Sequence, residues 1–214
     1  MTLLVLLVLP ISAAVSAVVR GYLPAKLAVP ILCAGIIAIA AATTPGPDTT
    51  VTGVVPLILA LAFSAAGDFF LSTKENRPTR FVVGIGAYLL AHLGYGIFAV
   101  GRGGVSVPAL IAALVLLFPY FVLALRPAIA DRTLLTAVLL YLLVSCLVLA
   151  AAIGMQVPAG PKALYITAIA LIVISDFIIS LKEFVGYHAL DWLILPTYYA
   201  AHLSVATAVV LLFR

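Results

Sequence analysis

The stretch 51–71, VTGVVPLILALAFSAAGDFFL, determines the class of fold, because it is almost entirely apolar and carries one carboxylate, Asp68, near its end. A helix that crosses the hydrocarbon core of a bilayer needs roughly 20 such residues at ~1.5 Å of rise each. The stretch 174–179, ISDFII, gives Asp176 a similar setting much later in the chain. A carboxylate at membrane depth is costly to bury, so the two aspartates are the first candidates for a functional site.

The composition is that of a membrane protein. Of the 214 residues, 66% are hydrophobic and 8% are charged, and the mean hydropathy is +1.35. A soluble domain cannot cover that much apolar surface, and long continuous apolar runs favour helices over a barrel, whose strands alternate. Cys33 and Cys146 lie inside apolar runs, where we predict free, packed thiols rather than a disulfide or a metal site.

Eight apolar runs, separated by short breaks rich in Gly, Pro and charge, predict an all-α, polytopic membrane protein with eight transmembrane helices. They form a single integral membrane domain over residues 1–214. The first run lacks a basic segment before it, so we interpret it as a retained helix and not as a signal peptide. The predicted spans are about 2–19, 26–42, 51–71, 80–100, 106–125, 133–154, 161–181 and 190–213.

The loops on the two sides of the membrane differ in charge. The side that holds loops 1–2, 3–4, 5–6 and 7–8 carries eight Lys and Arg residues, against three on the other side. Basic loops stay in the cytoplasm, so we predict that this side is cytoplasmic, in the cell (inner) membrane, with both termini outside. Here the basic excess signals topology, and we predict no nucleic-acid partner. The eight residues are Arg20, Lys26, Lys74, Arg77, Arg80, Arg126, Arg132 and Lys182.

The two halves of the chain resemble each other. Each has an aspartate near the cytoplasmic end of its third helix, about 5–8 Å inside it, followed by a helix with Tyr and His at i and i+4 on one face. We interpret residues 1–105 and 106–214 as two four-helix repeats with a site between them; the alternative is a likeness that comes from apolar composition alone. The Tyr–His pairs are Tyr88 with His92 and Tyr198 with His202.

Paired carboxylates suit acid–base chemistry. In a site with little water one of Asp68 and Asp176 can hold a proton near neutral pH while the other stays ionised. The same pair suits a proton-coupled transporter, and a single intramembrane aspartate can also serve as a helix cap or a tie between helices. The sequence therefore favours function for the pair without naming the reaction.

The other polar residues inside the spans allow several interpretations. His92 and His202, which we expect deeper than the aspartates, are either hydrogen-bonded groups between helices or, with an aspartate, ligands of a metal-dependent hydrolase. The tyrosine hydroxyls either bind a polar head group or pack with a local partner. Lys26 begins the second helix on the cytoplasmic side, where it can bind lipid phosphate.

Several short motifs occur in a characteristic order. They are KLAVP at 26–30, Gly67-Asp68, RFVVG at 80–84, AHLGY at 91–95, Tyr141, Ser175-Asp176 and PTYY at 196–199. Together they cover most of the chain from Lys26 onward and resemble the YhhN family of integral membrane proteins. The resemblance implies an eight-helix fold and a lysoplasmalogenase-type activity, which hydrolyses the vinyl ether bond of a lysoplasmalogen to a fatty aldehyde and a glycerophospho-ethanolamine or -choline.

The resemblance also implies roles for individual residues. Asp68 and Asp176 match the two acidic positions of the family, and we predict them as the catalytic pair. Two residues depart from its pattern, because His202 stands where glutamine is expected and Tyr88 where an aromatic without a hydroxyl is usual. The predicted substrate-binding residues are Lys26, Tyr88, His92, Tyr95, Tyr198, Tyr199 and His202.

The chemistry agrees with these residues. Cleavage of a vinyl ether begins with a proton on carbon, which one carboxyl can deliver, and the other can stabilise the oxocarbenium ion and activate water. The reaction needs no cofactor, metal or covalent nucleophile. We predict a membrane hydrolase with a lysophospholipid substrate; the alternatives are a proton-coupled transporter, a metal-dependent lipid hydrolase using His92, His202 and an aspartate, and a structural membrane protein.

Overall fold

The computed structural model describes residues 5–44, 51–75 and 78–214, and in these ranges it is helical without any strand. Residues 2–4 of the predicted first span and Arg77 of the predicted basic residues lie outside them. The prediction of an all-α fold with eight helices is confirmed. The helices are α1 (Val8–Arg20), α2 (Leu23–Thr43), α3 (Val51–Ser72), α4 (Pro78–Val100), α5 (Val107–Ala128), α6 (Arg132–Gly154), α7 (Ala159–Val185) and α8 (Asp191–Leu212).

Seven of the helices, α2 to α8, are long and apolar enough to cross a membrane. The described part of α1 has 13 residues, or about 20 Å at ~1.5 Å per residue, against a hydrocarbon core of about 30 Å. Both cysteines are free and buried, as predicted.

Two helices contain a π-helical turn near one end. In α5 it covers Phe121–Leu125, and in α7 it covers Leu181–Val185. The turn carries α7 four residues past the predicted end at Leu181, until Gly186, with a positive φ of 73°, stops it. The two π turns contact each other, so these ends of α5 and α7 lie side by side.

Six helices form a closed ring. In order, α2 packs on α3, α3 on α4, α4 on α6, α6 on α7, α7 on α8 and α8 on α2, while α1 lies outside against α2 and α8, and α5 lies outside against α6. Exchanging the halves 1–105 and 106–214 maps most of these neighbours onto each other. This pattern of neighbours is compatible with the predicted repeat, which stays a prediction.

Small residues let α3 and α4 approach closely. A Cβ added to Gly94 of α4 would lie 2.5 Å from the carbonyl oxygen of Pro56 and 2.9 Å from the Cβ of Ala60. These distances are too short for any side chain, so only glycine fits at this contact. The close packing fixes α4 against α3, and three of the polar side chains described below, Asp68, Tyr88 and His92, lie on these two helices.

The two ends of the bundle can be distinguished by their loop contacts. At one end, Lys74 of loop 3–4 pairs with Glu183 at the end of α7. At the other end, the amide of Gln156 in loop 6–7 donates to the carbonyl of Arg102 in loop 4–5, at 2.7 Å. Loop 3–4 therefore lies at the same end of the bundle as loop 7–8, and loop 4–5 at the same end as loop 6–7, as predicted for helices that cross in alternating directions. We call these the Lys74 end and the Arg102 end; the assignment of the Lys74 end to the cytoplasm stays a prediction.

Candidate functional site

Asp68 lies one turn from the end of α3, buried at the Lys74 end of the bundle. The hydroxyl of Tyr88 on α4 donates to its Oδ1 at 2.6 Å. This approach depends on Gly67, because a Cβ there would lie 2.7 Å from the Tyr88 ring. The Gly67-Asp68 motif thus combines a carboxylate with the space that its partner needs.

Residues from two more helices surround this carboxylate. Tyr198 of α8 packs edge-on against Tyr88, with ring centroids 6.0 Å apart, and donates to the carbonyl of Ser64 at 3.4 Å. The half-buried Lys26 of α2 interacts electrostatically with Asp68. Three predicted site residues, Lys26, Tyr88 and Tyr198, are therefore brought together around Asp68.

Asp176 has a different set of partners. Tyr141 of α6 donates to its Oδ2 at 2.9 Å, and Nε2 of His92 lies 3.3 Å from the same oxygen. The Nδ1 of His92 donates to the carbonyl of Tyr88 at 3.0 Å, which fixes the ring orientation. His92 beside Asp176 thus bonds to Tyr88, the residue whose hydroxyl bonds to Asp68, so Asp68 and Asp176 belong to one polar cluster.

Asp176 lies farther inside its helix than the sequence predicts, and the expectation that the histidines lie deeper than the aspartates stays a prediction. The π turn extends α7 to Val185, so Asp176 stands about 13 Å from the end of its helix at ~1.5 Å per residue. At that depth it meets His92 of α4. Lys182 was predicted in loop 7–8, but it belongs, with Glu183, to the last turn of the helix.

A cavity of about 110 Å³ lies beside this cluster, with walls from α3, α4, α5, α6 and α7. Its polar side is formed by Asp176, Tyr88, Tyr141 and Ser145, and most of the remaining wall is apolar. Asp68 does not line the cavity, because Tyr88 stands between it and the open space. A molecule in the cavity would touch Asp176 directly and Asp68 through Tyr88.

The cavity extends toward the Lys74 end along one face of α7. One turn beyond Asp176, Ser180 is 2.9 Å from the hydroxyl of Tyr120, and both side chains line the cavity. Farther along, the lining includes Phe81 and Phe184, whose rings meet edge to face at 6.0 Å. The apolar space thus has polar groups at its Asp176 side and again at the Tyr120–Ser180 pair.

Of the seven predicted binding residues, all of which the structure describes, Tyr88 alone lines the cavity. Lys26, His92 and Tyr198 belong to the polar cluster behind it, and the remaining three have partners elsewhere. Tyr95 is buried in the main core, where its carbonyl accepts a hydrogen bond from Tyr165 at 2.8 Å. Tyr199 packs with Ala14, Ala17 and Val29 of α1 and α2. His202 is fully buried, and its Nδ1 donates to the carbonyl of Tyr198 at 2.7 Å. In this arrangement these side chains support the helices around the site, and their predicted substrate contacts stay predictions.

Among the residues that the structure describes, no three His, Cys, Asp or Glu side chains come together in a way that could hold a metal ion. His92 faces Asp176, whereas His202 bonds within its own helix. The ligand set of the metal-dependent alternative is therefore not assembled in this part of the chain.

Tyr141, Ser145, Tyr120 and Ser180 were not predicted as site residues. Each is a hydroxyl-bearing side chain in an apolar helix, a pattern that usually means local packing or a bond to the helix backbone. One signal was present: Tyr141 and Ser145 are spaced i, i+4, so they share a face of α6, as Tyr88 and His92 do on α4.

Comparison with known proteins agrees with this architecture. The YhhN family matches residues 3–209, which is nearly the whole chain. No curated protein and no solved structure matches the chain. A membrane bundle with Gly67-Asp68 on α3 and Ser175-Asp176 on α7, matched by the family over almost its full length, leads to one conclusion: the protein belongs to the YhhN family.

Proposed function

We propose that the protein is a membrane hydrolase that cleaves the vinyl ether bond of lysoplasmalogens, releasing a fatty aldehyde and a glycerophospho-ethanolamine or -choline. The observation that carries this proposal is the carboxylate of Asp176, which is bonded to Tyr141 and stands in the wall of a largely apolar cavity. A single-chain lipid has an apolar tail and one polar linkage, and this cavity has the same distribution of surfaces.

In the first proposed step, an acid on the protein transfers a proton to a carbon atom of the substrate. The carboxyl of Asp176 gives its proton to the terminal carbon of the C=C–O unit, which forms a C–H bond and leaves an oxocarbenium ion beside a carboxylate. Carbon is a slow proton acceptor, so the acid has to touch it. Asp176 is the carboxyl that lines the cavity, and we assign it this role.

Hydration follows at the same place. Water attacks the oxocarbenium carbon, and the ionised Asp176 accepts the proton that the water loses, which restores the acid. The resulting hemiacetal then collapses: its O–H proton is lost, the C–O bond to glycerol breaks, and the glycerol oxygen gains a proton. The products are an aldehyde and an alcohol, and the net change is the addition of one water.

Asp68 contributes through Tyr88. A negative charge within one hydrogen bond of the cavity stabilises the oxocarbenium ion electrostatically, and buried, fixed dipoles do this more effectively than water. Lys26 lies near the Asp68 carboxylate and offsets its charge, and Tyr198 packs against Tyr88, the residue that bonds to Asp68. Asp68 is thus a positioning and electrostatic residue in the proposed reaction, and Asp176 is the residue in contact with the substrate.

The test is aldehyde release from lysoplasmenyl-ethanolamine by purified protein in detergent. We expect release by the wild type and a loss of at least about 100-fold in Asp176→Asn, since removal of an acid–base group typically costs 10²–10⁴ in rate. Asp68→Asn, which removes a charge that acts through Tyr88, should cost about tenfold. Asp131→Asn is the matched control, because Asp131 is an exposed carboxylate that caps α6 through the amide of Leu134. A chelator should change nothing.

The alternative that the structure supports is a proton-coupled lipid transporter. Its motivation is the pair of carboxylates lying between two groups of helices with similar neighbours. It predicts lysolipid movement across vesicle membranes that depends on a proton gradient, with no aldehyde formed. Folded wild-type protein that releases no aldehyde from several alkenyl lysolipids would contradict the hydrolase and leave this alternative in its place.

A further inference from the structure

One ion pair lies beside the part of the cavity wall that contains Phe81 and Phe184, at the Lys74 end, which we call the mouth of the cavity. The Nζ of Lys74 is 2.5 Å from Glu183 and 4.9 Å from the centre of the Phe81 ring. Phe81 and Phe184 line the cavity, and Phe184 directly follows Glu183 in the π turn of α7. The cation and the anion are 31% and 19% exposed, so both remain accessible from outside the bundle.

The spacing between this pair and Asp176 matches a lysolipid. Glu183 follows Asp176 by seven residues, which puts it two turns farther along α7 and about 10 Å away at ~1.5 Å per residue. In an alkenyl lysolipid with an ethanolamine head, about nine bonds join the vinyl ether oxygen to the ammonium nitrogen, or about 10 Å in an extended chain. The Tyr120–Ser180 pair lies between, at the level of the glycerol.

The chemistry of the pair also matches. A phosphodiester is an anion that a Lys ammonium binds, and a primary ammonium donates hydrogen bonds that a carboxylate accepts. A quaternary ammonium has no N–H to donate, and a bare phosphate monoester carries no cation. Lys74 and Glu183 therefore complement a phosphoethanolamine head better than a phosphocholine head, and much better than a phosphate alone.

We propose that Lys74 and Glu183 form the head-group site, exchanging their mutual ion pair for the phosphate and the ammonium of a phosphoethanolamine lysolipid, and so set a preference for ethanolamine. This inference rests on the proposed function, which places the vinyl ether bond at Asp176 and therefore the head group toward the Lys74 end. It assigns specificity to residues at the mouth that make no contact with the reacting bond.

A neighbouring ion pair provides the matched control. Lys182 and Asp191 are 3.4 Å apart at the same end of the bundle, and Asp191 also lies 3.1 Å from His188. Neither pair is part of the cavity wall itself; the difference is that Lys74 lies on the ring of Phe81, which is in the wall, and that Glu183 directly precedes Phe184, which is also in the wall. The pair joins the end of α7 to the start of α8, so it has the charge and location of the Lys74–Glu183 pair without its access to the cavity.

The experiment measures binding, which does not require hydrolysis. Non-cleavable 1-alkyl lysolipids with ethanolamine, choline and phosphate-only heads are titrated against purified wild type, Glu183→Gln, Lys74→Met and Asp191→Asn in detergent. We expect the wild type to bind the ethanolamine lipid most tightly. In Glu183→Gln the affinity for the ethanolamine lipid should fall about tenfold relative to the affinity for the phosphate-only lipid, because a hydrogen bond to a charged group is lost. Asp191→Asn should keep the wild-type preference.

Lys74→Met should weaken binding of all three lipids. The exchanged variant Lys74→Glu/Glu183→Lys keeps an ion pair and therefore the fold, but it reverses the charges that meet phosphate and ammonium. Retention of the ethanolamine preference by this variant would show a purely structural pair and overturn the proposal. Equal effects of Glu183→Gln and Asp191→Asn, or no lysolipid binding by folded wild type, would overturn it as well. A preference that follows Glu183 without any aldehyde release would leave the head-group site standing and refute the hydrolase.

Discussion

Replacement of Gly67 by alanine is the sharpest perturbation of the site. The new Cβ would lie 2.7–2.8 Å from three carbons of the Tyr88 ring, and ordinary contacts begin at 3.4 Å. The ring must therefore move by roughly 0.7 Å, an overpacking that typically costs about 1–3 kcal/mol. Because the ring carries the hydroxyl that donates to Asp68 at 2.6 Å, a shift of this size lengthens the bond beyond 3 Å.

Two readouts follow from this geometry. A hydrogen bond to a charged group is worth about 1.5–3 kcal/mol, so we expect kcat/KM for aldehyde release to fall roughly 10- to 100-fold in Gly67→Ala. The thermal midpoint should fall as well, although alanine in a helix recovers up to about 1 kcal/mol relative to glycine. The assay is aldehyde release beside thermal unfolding in the same detergent.

Gly35→Ala is the control, because a Cβ at Gly35 of α2 meets nothing within 4 Å. We expect it to keep full activity and to unfold at an unchanged or slightly higher temperature. A Gly67→Ala variant with the activity and the thermal midpoint of Gly35→Ala would refute the argument that glycine is needed for the Tyr88–Asp68 contact.

Three further predictions concern single contacts. Tyr141→Phe removes the 2.9 Å bond to Asp176 and leaves the ring in place, so kcat should fall about tenfold with little change in KM, as measured by initial rates. Tyr88→Phe separates Asp68 from the cavity without new bulk; its kcat/KM should fall about tenfold, and adding Asp68→Asn should lower it little further, since both changes break one connection. Gly94→Ala forces α4 away from Pro56 and should lower the thermal midpoint more than Gly35→Ala does, with wild-type unfolding arguing against the close α3–α4 contact.

The sequence allowed the helices to be predicted well, because each apolar run is long and the breaks contain Gly, Pro or charges. Asp68 was also expected in the right place, one turn from the end of α3. These features depend on local composition and on helix length, which a single sequence records. The likeness between the halves rests on the same kind of evidence, and it stays a prediction with which the pattern of neighbours in the ring agrees.

The depth of Asp176 could not be predicted in the same way. Lys182 and Glu183 are charged, and charges in a short segment normally indicate a loop, yet here they form a π turn that prolongs α7. Contacts between helices are equally hidden, since the pairing of Tyr141 with Asp176 depends on how α6 packs against α7 and not on either sequence alone. The separation of Asp68 from the cavity by Tyr88 has the same origin.

The peripheral position of α5 has a consequence for the products of the proposed reaction. This helix forms one wall of the cavity, has α6 as its main partner, and exposes Val115, Leu116 and Leu123 by 70% or more. The wall between the cavity and the surrounding lipid is therefore one helix thick. A fatty aldehyde can leave sideways into the bilayer past α5, while the water-soluble glycerophospho compound leaves past Lys74. In the proposed reaction the two products would enter different phases as they form, so that neither has to diffuse past the other.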